Sequence, residues 1–382
     1  MTGEKRKIAV CSTGNPLAPS TWSGTPANLC RVLNQMGRLD VTLDSTGYAS
    51  AGMKHAINFA ARSYYHCSID IDRGRFHRYL RGRYVNTFFQ AHHSQNVLHT
   101  GTFDLPLPSV PPGTRHFLFC DSTWDLWRRV VPSIHFYSPK LLADAERLEE
   151  ESYRQMSHVF TISEYVRRNL IEHFQIRADR ITVVGTGRGA IQPYTGPKDY
   201  GNRTILFVAK GRFEDKGCVL LLEALKLARQ REPRLHLIVV GDERSRKYAE
   251  GIPNVEVHGF VALETLQSFF NRAALFAMPA LNEPWGLVFL EALSCKTPIL
   301  GLNRNAMPEI TQHGRFGFCI DDATPAGVAA GLVEAFQKPD RLACMGAEGQ
   351  DYCLRTFTWE NTVSRIVEAI DNCDARAGRN HN

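Results

Sequence analysis

The stretch LFAMPALNEPWGLVFLEAL, residues 275–293, decides the fold class of this 382-residue chain. It starts with a short apolar run, passes through a loop that contains Glu283 and Gly286, and ends in an apolar helical segment that carries Glu291. A continuous apolar run that is followed by a turn and a helix is typical of a parallel strand covered on both faces. Ligands of such sheets bind at the carboxyl ends of the strands, so we expect chemistry at residues such as Glu283.

The same strand, turn and helix pattern recurs along the whole chain. The first half contains apolar runs at residues 8–13, 41–45, 96–100, 116–121, 158–163 and 181–186. The second half contains them at residues 204–209, 235–240, 255–260, 275–280, 298–302 and 316–320. The pattern predicts an α/β protein with two doubly wound parallel-sheet, Rossmann-like domains that face each other across a cleft.

A segment rich in Gly and Pro at residues 187–202 is the predicted linker between these domains. It places an N-terminal domain at residues 1–190 and a C-terminal domain at residues 203–358. A last helix is expected from about Trp359 onward, in residues 359–382.

Composition excludes several classes of protein. The chain is 43% hydrophobic and 22% charged, which excludes disorder over most of its length. It shows neither a signal-peptide pattern nor a run of roughly 18 apolar residues, which a membrane-spanning helix needs. Ten cysteines occur without any CxxC pair, which favours free thiols in a reducing compartment. We therefore expect a soluble, cytoplasmic protein.

Positive charge is concentrated in the first half. Residues 1–198 hold 24 Lys and Arg against 16 Asp and Glu, a net +8, whereas the remainder holds 21 against 23, a net −2. Five arginines lie between Arg73 and Arg83. Apolar residues recur there every four positions, and Arg75, Arg78 and Arg81 lie off that stripe. This basic segment is interpreted either as a surface for an anionic membrane or a phosphorylated lipid acceptor, or as a solvated face of a packed helix.

Two segments of the second half carry candidate ligand-binding residues. The turn KGRFEDKG, residues 210–217, follows a strand and places Arg212 and Lys216 beside a helix start, where two cations and free N–H groups suit a diphosphate. A solvated turn is the alternative. Glu291 lies on an otherwise apolar helix, where a carboxylate is costly unless it is paired or binds ligand hydroxyls.

Together these motifs resemble glycosyltransferase family 4, which has the GT-B fold. The segment E-P-x-G-L-x-x-x-E-A from Glu283 to Ala292 is similar to the donor-site signature of that family. The turn G-R-F-x-x-K-G is similar to its diphosphate-binding segment, and the loop at Ser23-Gly24-Thr25 to its glycine loop. Similarity extends to Ser163-Glu164-Tyr165, to residues 298–309 and to the F-T-W-E tail at residues 357–360.

The resemblance implies a nucleotide-sugar donor site. Its residues would be Gly24, Arg212, Lys216, Glu283, Gly286, Leu287 and Glu291. The two cations would hold the diphosphate, Glu291 the ribose hydroxyls and Glu283 the donor-sugar hydroxyls. The N–H groups of Gly286 and Leu287 would lie near the distal phosphate, and residues 259–261 would contact the base.

The resemblance further implies a retaining, metal-independent enzyme with no protein nucleophile and no cofactor apart from its nucleotide-sugar co-substrate. The acceptor would be a saccharide or glycolipid bound to the first domain, in polysaccharide or glycoconjugate biosynthesis. The last helix would cross back to the first domain. Independently of the resemblance, the residues lead us to expect a cytoplasmic protein without a specific nucleic-acid partner, and the Arg73–Arg83 segment is a candidate for a peripheral contact to the inner face of the membrane.

One position departs from the family pattern. Many relatives carry a histidine after the fourth or fifth strand of the first domain, and here Asp121 follows that strand. Asp121 is a candidate to bind a sugar hydroxyl or to accept the acceptor's proton. The alternative is an N-cap for the helix that follows.

Other readings of the sequence are less favoured. GTGRG at residues 185–189 lacks the spacing and the helix of a dinucleotide fingerprint, and Asp70-Ile71-Asp72 lies away from the proposed donor site, so no metal is expected. A nucleotide-sugar epimerase or hydrolase of the same fold would need a set of groups for proton transfer or water activation, of which only Asp121 is evident. A non-catalytic polyanion-binding protein would use the arginines of residues 73–83.

Overall fold

The computed structural model describes residues 6–110, 112–241 and 243–379. The chain divides into two compact units. The first comprises the chain up to Gly187 together with the segment from Trp359 onward, and the second comprises Arg188–Thr358. The boundary lies at the start of the segment rich in Gly and Pro.

The first unit is built on a six-stranded parallel sheet with strand order β2-β1-β3-β4-β5-β6. Its strands are β1 Ile8–Ser12, β2 Leu39–Asp44, β3 Asn96–Thr100, β4 Arg115–Cys120, β5 His158–Thr161 and β6 Ile181–Val183. Its helices are α1 Thr25–Gln35, α2 Ala51–Tyr65, α3 Arg75–Ala91, α4 Trp124–Arg128, α5 Pro139–Gln155, α6 Glu164–Glu172 and the last helix, α14 Trp359–Arg379.

The second unit contains another six-stranded parallel sheet, with strand order β12-β11-β10-β7-β8-β9. Its strands are β7 Thr204–Val208, β8 His236–Val240, β9 Val255–His258, β10 Leu275–Ala277, β11 Ile299–Leu302 and β12 Gly317–Ile320. Its helices are α7 Cys218–Ala228, α8 Arg246–Ala249, α9 Leu263–Arg272, α10 Leu287–Ser294, α11 Met307–Ile310, α12 Pro325–Gln337 and α13 Pro339–Thr356.

All twelve strands predicted from apolar runs are present, and the prediction of two doubly wound parallel sheets is confirmed. Central strands such as β1 and β3 are buried at every residue, whereas the edge strand β9 is only partly buried. Continuous apolar runs therefore form these strands because helices cover both faces of each sheet. The predicted helix caps at Ser138 and Ser163 are also present, since each hydroxyl accepts a backbone N–H of the helix that it precedes.

The order of strands reverses once in each sheet. In the second sheet β7 lies beside β10, and the chain leaves these two neighbours in opposite directions along the sheet. In the first sheet the corresponding neighbours are β1 and β3. Loops that follow such strands diverge and leave a crevice at the carboxyl edge of the sheet, which is where doubly wound proteins bind ligands.

Candidate functional site

The loops after β7 and β10 meet at the point of reversal in the second sheet. Gly217 precedes α7 with a φ of 79°, and a Cβ at this position would lie 2.0 Å from the backbone oxygen of Pro279. Only glycine, which lacks a Cβ, can lie so close to a neighbouring backbone. The Leu281 N–H also donates to the Asp215 carbonyl at 2.9 Å, which ties the two loops together.

This close approach brings Lys216 and Glu283 into contact. The Lys216 ammonium donates to Glu283 Oε2, and each side chain is 18% exposed. Asn305 contributes from beyond β11, because its side-chain amide donates to the Glu283 carbonyl at 3.2 Å. The structure therefore brings together a cation and a carboxylate that lie far apart in the sequence and that sequence analysis had assigned to one ligand.

Arg212 lies on the same turn as Lys216. Its φ is 53°, and its carbonyl accepts the Lys216 N–H at 3.0 Å. The Arg212 Nε donates to Asp215 Oδ2 at 2.9 Å, and the arginine side chain is 48% exposed. The turn thus presents a guanidinium that keeps most of its donors near solvent, a suitable arrangement for an anion.

Gly286 precedes α10 with a φ of 82°. A Cβ there would lie 2.7 Å from the Phe289 ring and 3.0 Å from Glu283 Cγ, so the position requires glycine. Leu287 is the first residue of α10, whose free N–H groups and helix dipole face the loop that carries Glu283.

Glu291 is held by the segment that opens the second unit. Its Oε1 accepts the N–H of Ala190 at 2.9 Å and that of Ile191 at 3.4 Å. Burial raises the pKa of Glu291 above its ordinary value, and these two backbone hydrogen bonds act in the opposite direction. The segment thus provides a partner for the costly carboxylate that sequence analysis had noted on an apolar helix.

A cavity of about 620 Å³ lies beside the loop predicted to contact a base. It is lined by β9 and by the chain after β8, including Glu243, Arg246 and Lys247. A Cβ at Gly259 would lie 2.7 Å from Glu243 Oε1, so the cavity wall touches the segment 259–261. The next residue, Phe260, is 74% exposed.

In the first unit, Asp121 contacts the loop that carries Gly24. The Trp22 Nε1–H donates to Asp121 Oδ2 at 3.1 Å, and the Trp22 ring packs against Phe119 with 5.7 Å between ring centroids. Trp22 and Ser23 have φ values of 42° and 53°, and Gly24 follows at 79°. Three successive left-handed residues give this loop its unusual course, which directs the indole towards Asp121.

The alternative reading of Asp121 as a helix cap is wrong. The Thr123 hydroxyl caps α4, since it accepts the Leu126 N–H at 3.2 Å. The sequence does not distinguish the capping residue, because Asp, Ser and Thr in succession are all good N-caps.

The interpretation of the arginine segment as an accessible basic face is also wrong at two positions. Arg78 and Arg81 are 1% and 6% exposed and lie on the buried face of α3. Arg78 pairs with the buried Glu149 and donates to Thr102 Oγ1 at 3.1 Å, whereas Arg81 pairs with Asp72 at 3.2 Å. Asp70 pairs with Arg73. These acidic partners neutralise most of the positive charge of the arginine segment, and Asp70 and Asp72 act as ion-pair partners of Arg73 and Arg81.

A polar cluster at the reversal point of the first sheet was not predicted. Asp104 Oδ2 accepts from Cys11 Sγ at 3.1 Å and from His99 Nδ1 at 2.7 Å, and His99 Nε2 lies 2.9 Å from His116 Nδ1. All four side chains are buried, and burial lowers the pKa of His116 to about 3. Their separation in the sequence hides the cluster, because only the sheet brings β1, β3 and β4 together.

Comparison with known proteins finds a family similarity within the second unit. A sequence model of the family described as Glycosyl transferases group 1 matches residues 202–338. Over these residues, named the glycosyltransferase segment from here on, the chain is similar to this family. The glycosyltransferase segment contains Arg212, Lys216, Glu283 and Glu291, so the family resemblance predicted from those residues is confirmed.

Curated proteins with named activities are similar to part of this chain. The D-inositol 3-phosphate glycosyltransferase of Thermobispora bispora is 28% identical over 236 residues, which are 56% of this chain and 55% of that protein. A GDP-mannose-dependent alpha-(1-6)-phosphatidylinositol monomannoside mannosyltransferase of Mycobacterium tuberculosis is 30% identical over 174 residues, 42% of this chain and 45% of that protein. The chain thus spans about half the length of these relatives.

Solved structures extend the likeness to nearly the whole chain. The sucrose-phosphate synthase of Thermosynechococcus elongatus has a TM-score of 0.71 at 14% identity and covers 97% of this chain and 100% of that protein. HepE of Anabaena, solved with UDP and glucose, has a TM-score of 0.63 at 17% identity and covers 96% and 99%. The prediction of the GT-B fold is confirmed.

Proposed function

We propose that this protein transfers a sugar from a nucleotide-sugar donor to a hydroxyl group of a saccharide or glycolipid acceptor, with retention of configuration at the anomeric carbon. The observation that carries the proposal is the ion pair of Lys216 and Glu283. It lies at the reversal point of a sheet whose sequence is similar to a glycosyltransferase family. At this point Lys216, a cation that can bind phosphate, is in contact with Glu283, a carboxylate that can bind sugar hydroxyls.

In this proposal the second unit binds the donor. Lys216 and Arg212 hold the diphosphate and stabilise the charge that develops on it as the bond to the sugar breaks. The N–H groups of Gly286 and Leu287 add to this field, Glu283 accepts hydrogen bonds from the sugar, and Glu291 accepts them from the ribose. Residues 259–261 and the neighbouring cavity would receive the base.

The chemical step breaks the bond between the anomeric carbon and the phosphate oxygen and forms a bond from that carbon to the acceptor oxygen. The electron pair of the broken bond remains on the nucleoside diphosphate. Retention follows when the acceptor attacks from the face that the diphosphate leaves. The acceptor's proton passes to the departing phosphate oxygen or to Asp121, which the Trp22 N–H orients. Catalysis is then mainly positioning and charge stabilisation, with no metal ion.

The names of the relatives suggest acceptors that carry inositol. One relative is named for D-inositol 3-phosphate and another for phosphatidylinositol monomannoside. We therefore include inositol phosphates and inositol lipids among the first acceptors to test, and place the reaction in the assembly of polysaccharides or glycoconjugates.

The test is a product assay. Purified protein is incubated in EDTA with UDP-glucose, GDP-mannose or ADP-glucose, with and without inositol phosphates, inositol lipids and simple saccharides, and products are identified by mass spectrometry and NMR. The expected result is acceptor-dependent release of one nucleoside diphosphate and an axial or equatorial linkage that matches the donor. Sugar released to water in every mixture would favour a hydrolase, and a changed sugar still attached to its nucleotide would favour an epimerase.

We further propose a peripheral contact with the cytoplasmic face of an anionic membrane, through α2 rather than through Arg78 and Arg81. On α2, Met53 is 54% exposed and Phe59 is 71% exposed. No acidic residue occurs from Ser45 to Ile69, while Lys54 and Arg62 lie on the helix. Exposed apolar side chains among cations suit an anionic lipid surface. None of the described helices is both long and apolar enough to span a membrane.

Sedimentation with vesicles tests this contact. Wild type should bind vesicles that contain phosphatidylglycerol and should bind phosphatidylcholine vesicles weakly, and Phe59→Ser should lose most of the binding. Leu227→Ser is the matched control, because Leu227 is 41% exposed on α7 of the other unit. Equal binding by Phe59→Ser and wild type would overturn the proposal.

A further inference from the structure

Glu291 and the backbone of residues 189–191 are fitted so closely that a side chain at Gly189 is sterically excluded. A Cβ at Gly189 would lie 2.0 Å from Glu291 Oε1, 2.8 Å from Cδ and 3.3 Å from Cγ. The next two residues donate their N–H groups to the same Oε1. The backbone therefore approaches the carboxylate to within hydrogen-bond distance only because residue 189 is glycine.

The segment that makes this contact is hydrogen-bonded along its length to the rest of the second unit. The Gln192 N–H donates to Gln267 Oε1 at 2.8 Å, and the Tyr194 N–H donates to the Ser294 carbonyl at 3.1 Å. Farther on, the Lys198 ammonium donates to the carbonyls of Phe270 and Cys295 and to Thr297 Oγ1 at 2.9, 2.7 and 2.6 Å. The two N–H groups that face Glu291 are thus part of an anchored strap, defined here as residues 189–198.

We infer that the strap positions Glu291 for the donor, and that Gly189 is a positioning residue for nucleotide binding. This inference rests on the proposed function. With Oε1 held by two N–H groups, the carboxylate is fixed in one orientation before the donor arrives. A preorganised acceptor loses less conformational entropy on binding than a free side chain does.

The hydrogen bonds also affect the charge of the carboxylate. Burial favours the neutral acid, and each N–H that donates to Oε1 favours the ionised form. An ionised carboxylate accepts hydrogen bonds from both hydroxyls of a ribose, whereas the acid would donate one of its own. The strap therefore sets both the direction and the hydrogen-bonding character of Glu291.

A double-mutant cycle tests the inference. UDP, GDP and ADP are titrated by calorimetry into wild type, and the tightest binder is carried to Gly189→Ala, Glu291→Ala and the double variant. We expect each single variant to weaken binding by about tenfold or more, and Gly189→Ala to have no further effect when Glu291 is already alanine. The thermal stability that Gly189→Ala loses should also recover in the double variant, since Glu291→Ala removes the three atoms nearest to the new Cβ.

Gly52→Ala is the control, because a Cβ at Gly52 meets nothing within 4 Å; it should bind like wild type. The inference is overturned if Gly189→Ala binds like wild type, or if it weakens binding equally with and without Glu291. Failure of the proposed function is a different result: wild type then binds none of the three nucleotides, or Glu291→Ala alone leaves binding intact.

Discussion

Lys216 and Glu283 form an ion pair across the reversal point of the second sheet, although they lie on loops that follow different strands. Each side chain is mostly buried, so the carboxylate provides the ammonium with a charged partner in the absence of a ligand. In the proposed reaction a diphosphate takes over that role, and Glu283 turns to the sugar. Lys216 and Glu283 therefore exchange partners when the donor binds: Lys216 pairs with the diphosphate and Glu283 with the sugar.

This exchange predicts opposite effects for the two members of the pair. Lys216→Ala should weaken the binding of a nucleoside diphosphate by at least about tenfold, or about 1.4 kcal/mol, because it removes the cation. Glu283→Gln should leave that binding unchanged or tighter, because it removes a competing negative charge, yet it should lower turnover of the sugar nucleotide by about tenfold or more. Calorimetry and initial rates measure the two effects. Equal loss of nucleotide binding in both variants would show that the pair acts only as a structural unit.

Glu291→Gln should cost nucleotide affinity and yet stabilise the fold at high pH. Since burial raises the pKa of Glu291 in the folded protein, the folded state binds more protons than the unfolded state between the ordinary pKa and the raised one. The stability that wild type gains from this group is therefore present at low pH and lost as pH rises through the raised pKa. Urea unfolding of both proteins at about pH 4.5 and about pH 8 measures this effect. The free energy of unfolding of the variant, relative to that of wild type, should be higher at pH 8 than at pH 4.5. A constant difference between the two proteins would contradict the assignment.

The ion pair of Arg78 and Glu149 should be important for stability and not for anionic partners. Removing one member leaves a buried charge without its partner, which costs about 3–5 kcal/mol, so Arg78→Met and Glu149→Gln should each be strongly destabilising. The double variant Arg78→Met/Glu149→Gln should lose less stability than the sum of the losses in the two single variants. Arg83→Met, at an exposed position of α3, should change the free energy of unfolding by no more than about 0.5 kcal/mol. Similar unfolding curves for Arg78→Met and Arg83→Met would contradict this account.

Asp121→Asn should lower turnover without weakening nucleotide binding, because Asp121 belongs to the acceptor side of the proposal. Trp22→Phe keeps the ring against Phe119 but removes the N–H donor, so it should have a smaller effect in the same direction. Steady-state rates and nucleotide titrations separate the two quantities. Nucleotide binding that falls in parallel with turnover in Asp121→Asn would remove it from the acceptor side.

The architecture could be predicted from the sequence because it follows from local pattern. Twelve apolar runs with turns and helices between them specify parallel strands without knowledge of which strands are neighbours. The cations and carboxylates of the second unit were selected because their motifs resemble those of a glycosyltransferase family, whereas their places after strands and near helix starts left a solvated turn open. Their position relative to the sheet is fixed by the strand that precedes them.

The remaining features depend on contacts between distant parts of the chain. The apolar residues that recur every four positions in α3 are Phe76, Leu80, Tyr84 and Phe88. Arg78 and Arg81 lie off that stripe, yet the structure buries them because Glu149 and Asp72 pair with them. The hydrogen bonds to Glu291 come from backbone N–H groups about 100 residues away in the sequence. Every residue except proline has such an N–H group, so residue type does not indicate which ones donate to a side chain. Pattern alone cannot supply partners of this kind.

The most direct test of the central claim is a thermal-shift screen in EDTA against UDP, GDP, ADP and their common sugar conjugates, for wild type and Lys216→Ala. A ligand at 100 times its dissociation constant stabilises the fold by about 2.7 kcal/mol, a shift that is readily measured. The account predicts that one nucleotide and its sugar conjugate stabilise wild type without a metal ion, and that Lys216→Ala loses this response. No response of wild type to any nucleotide, or an undiminished response in Lys216→Ala, would contradict it.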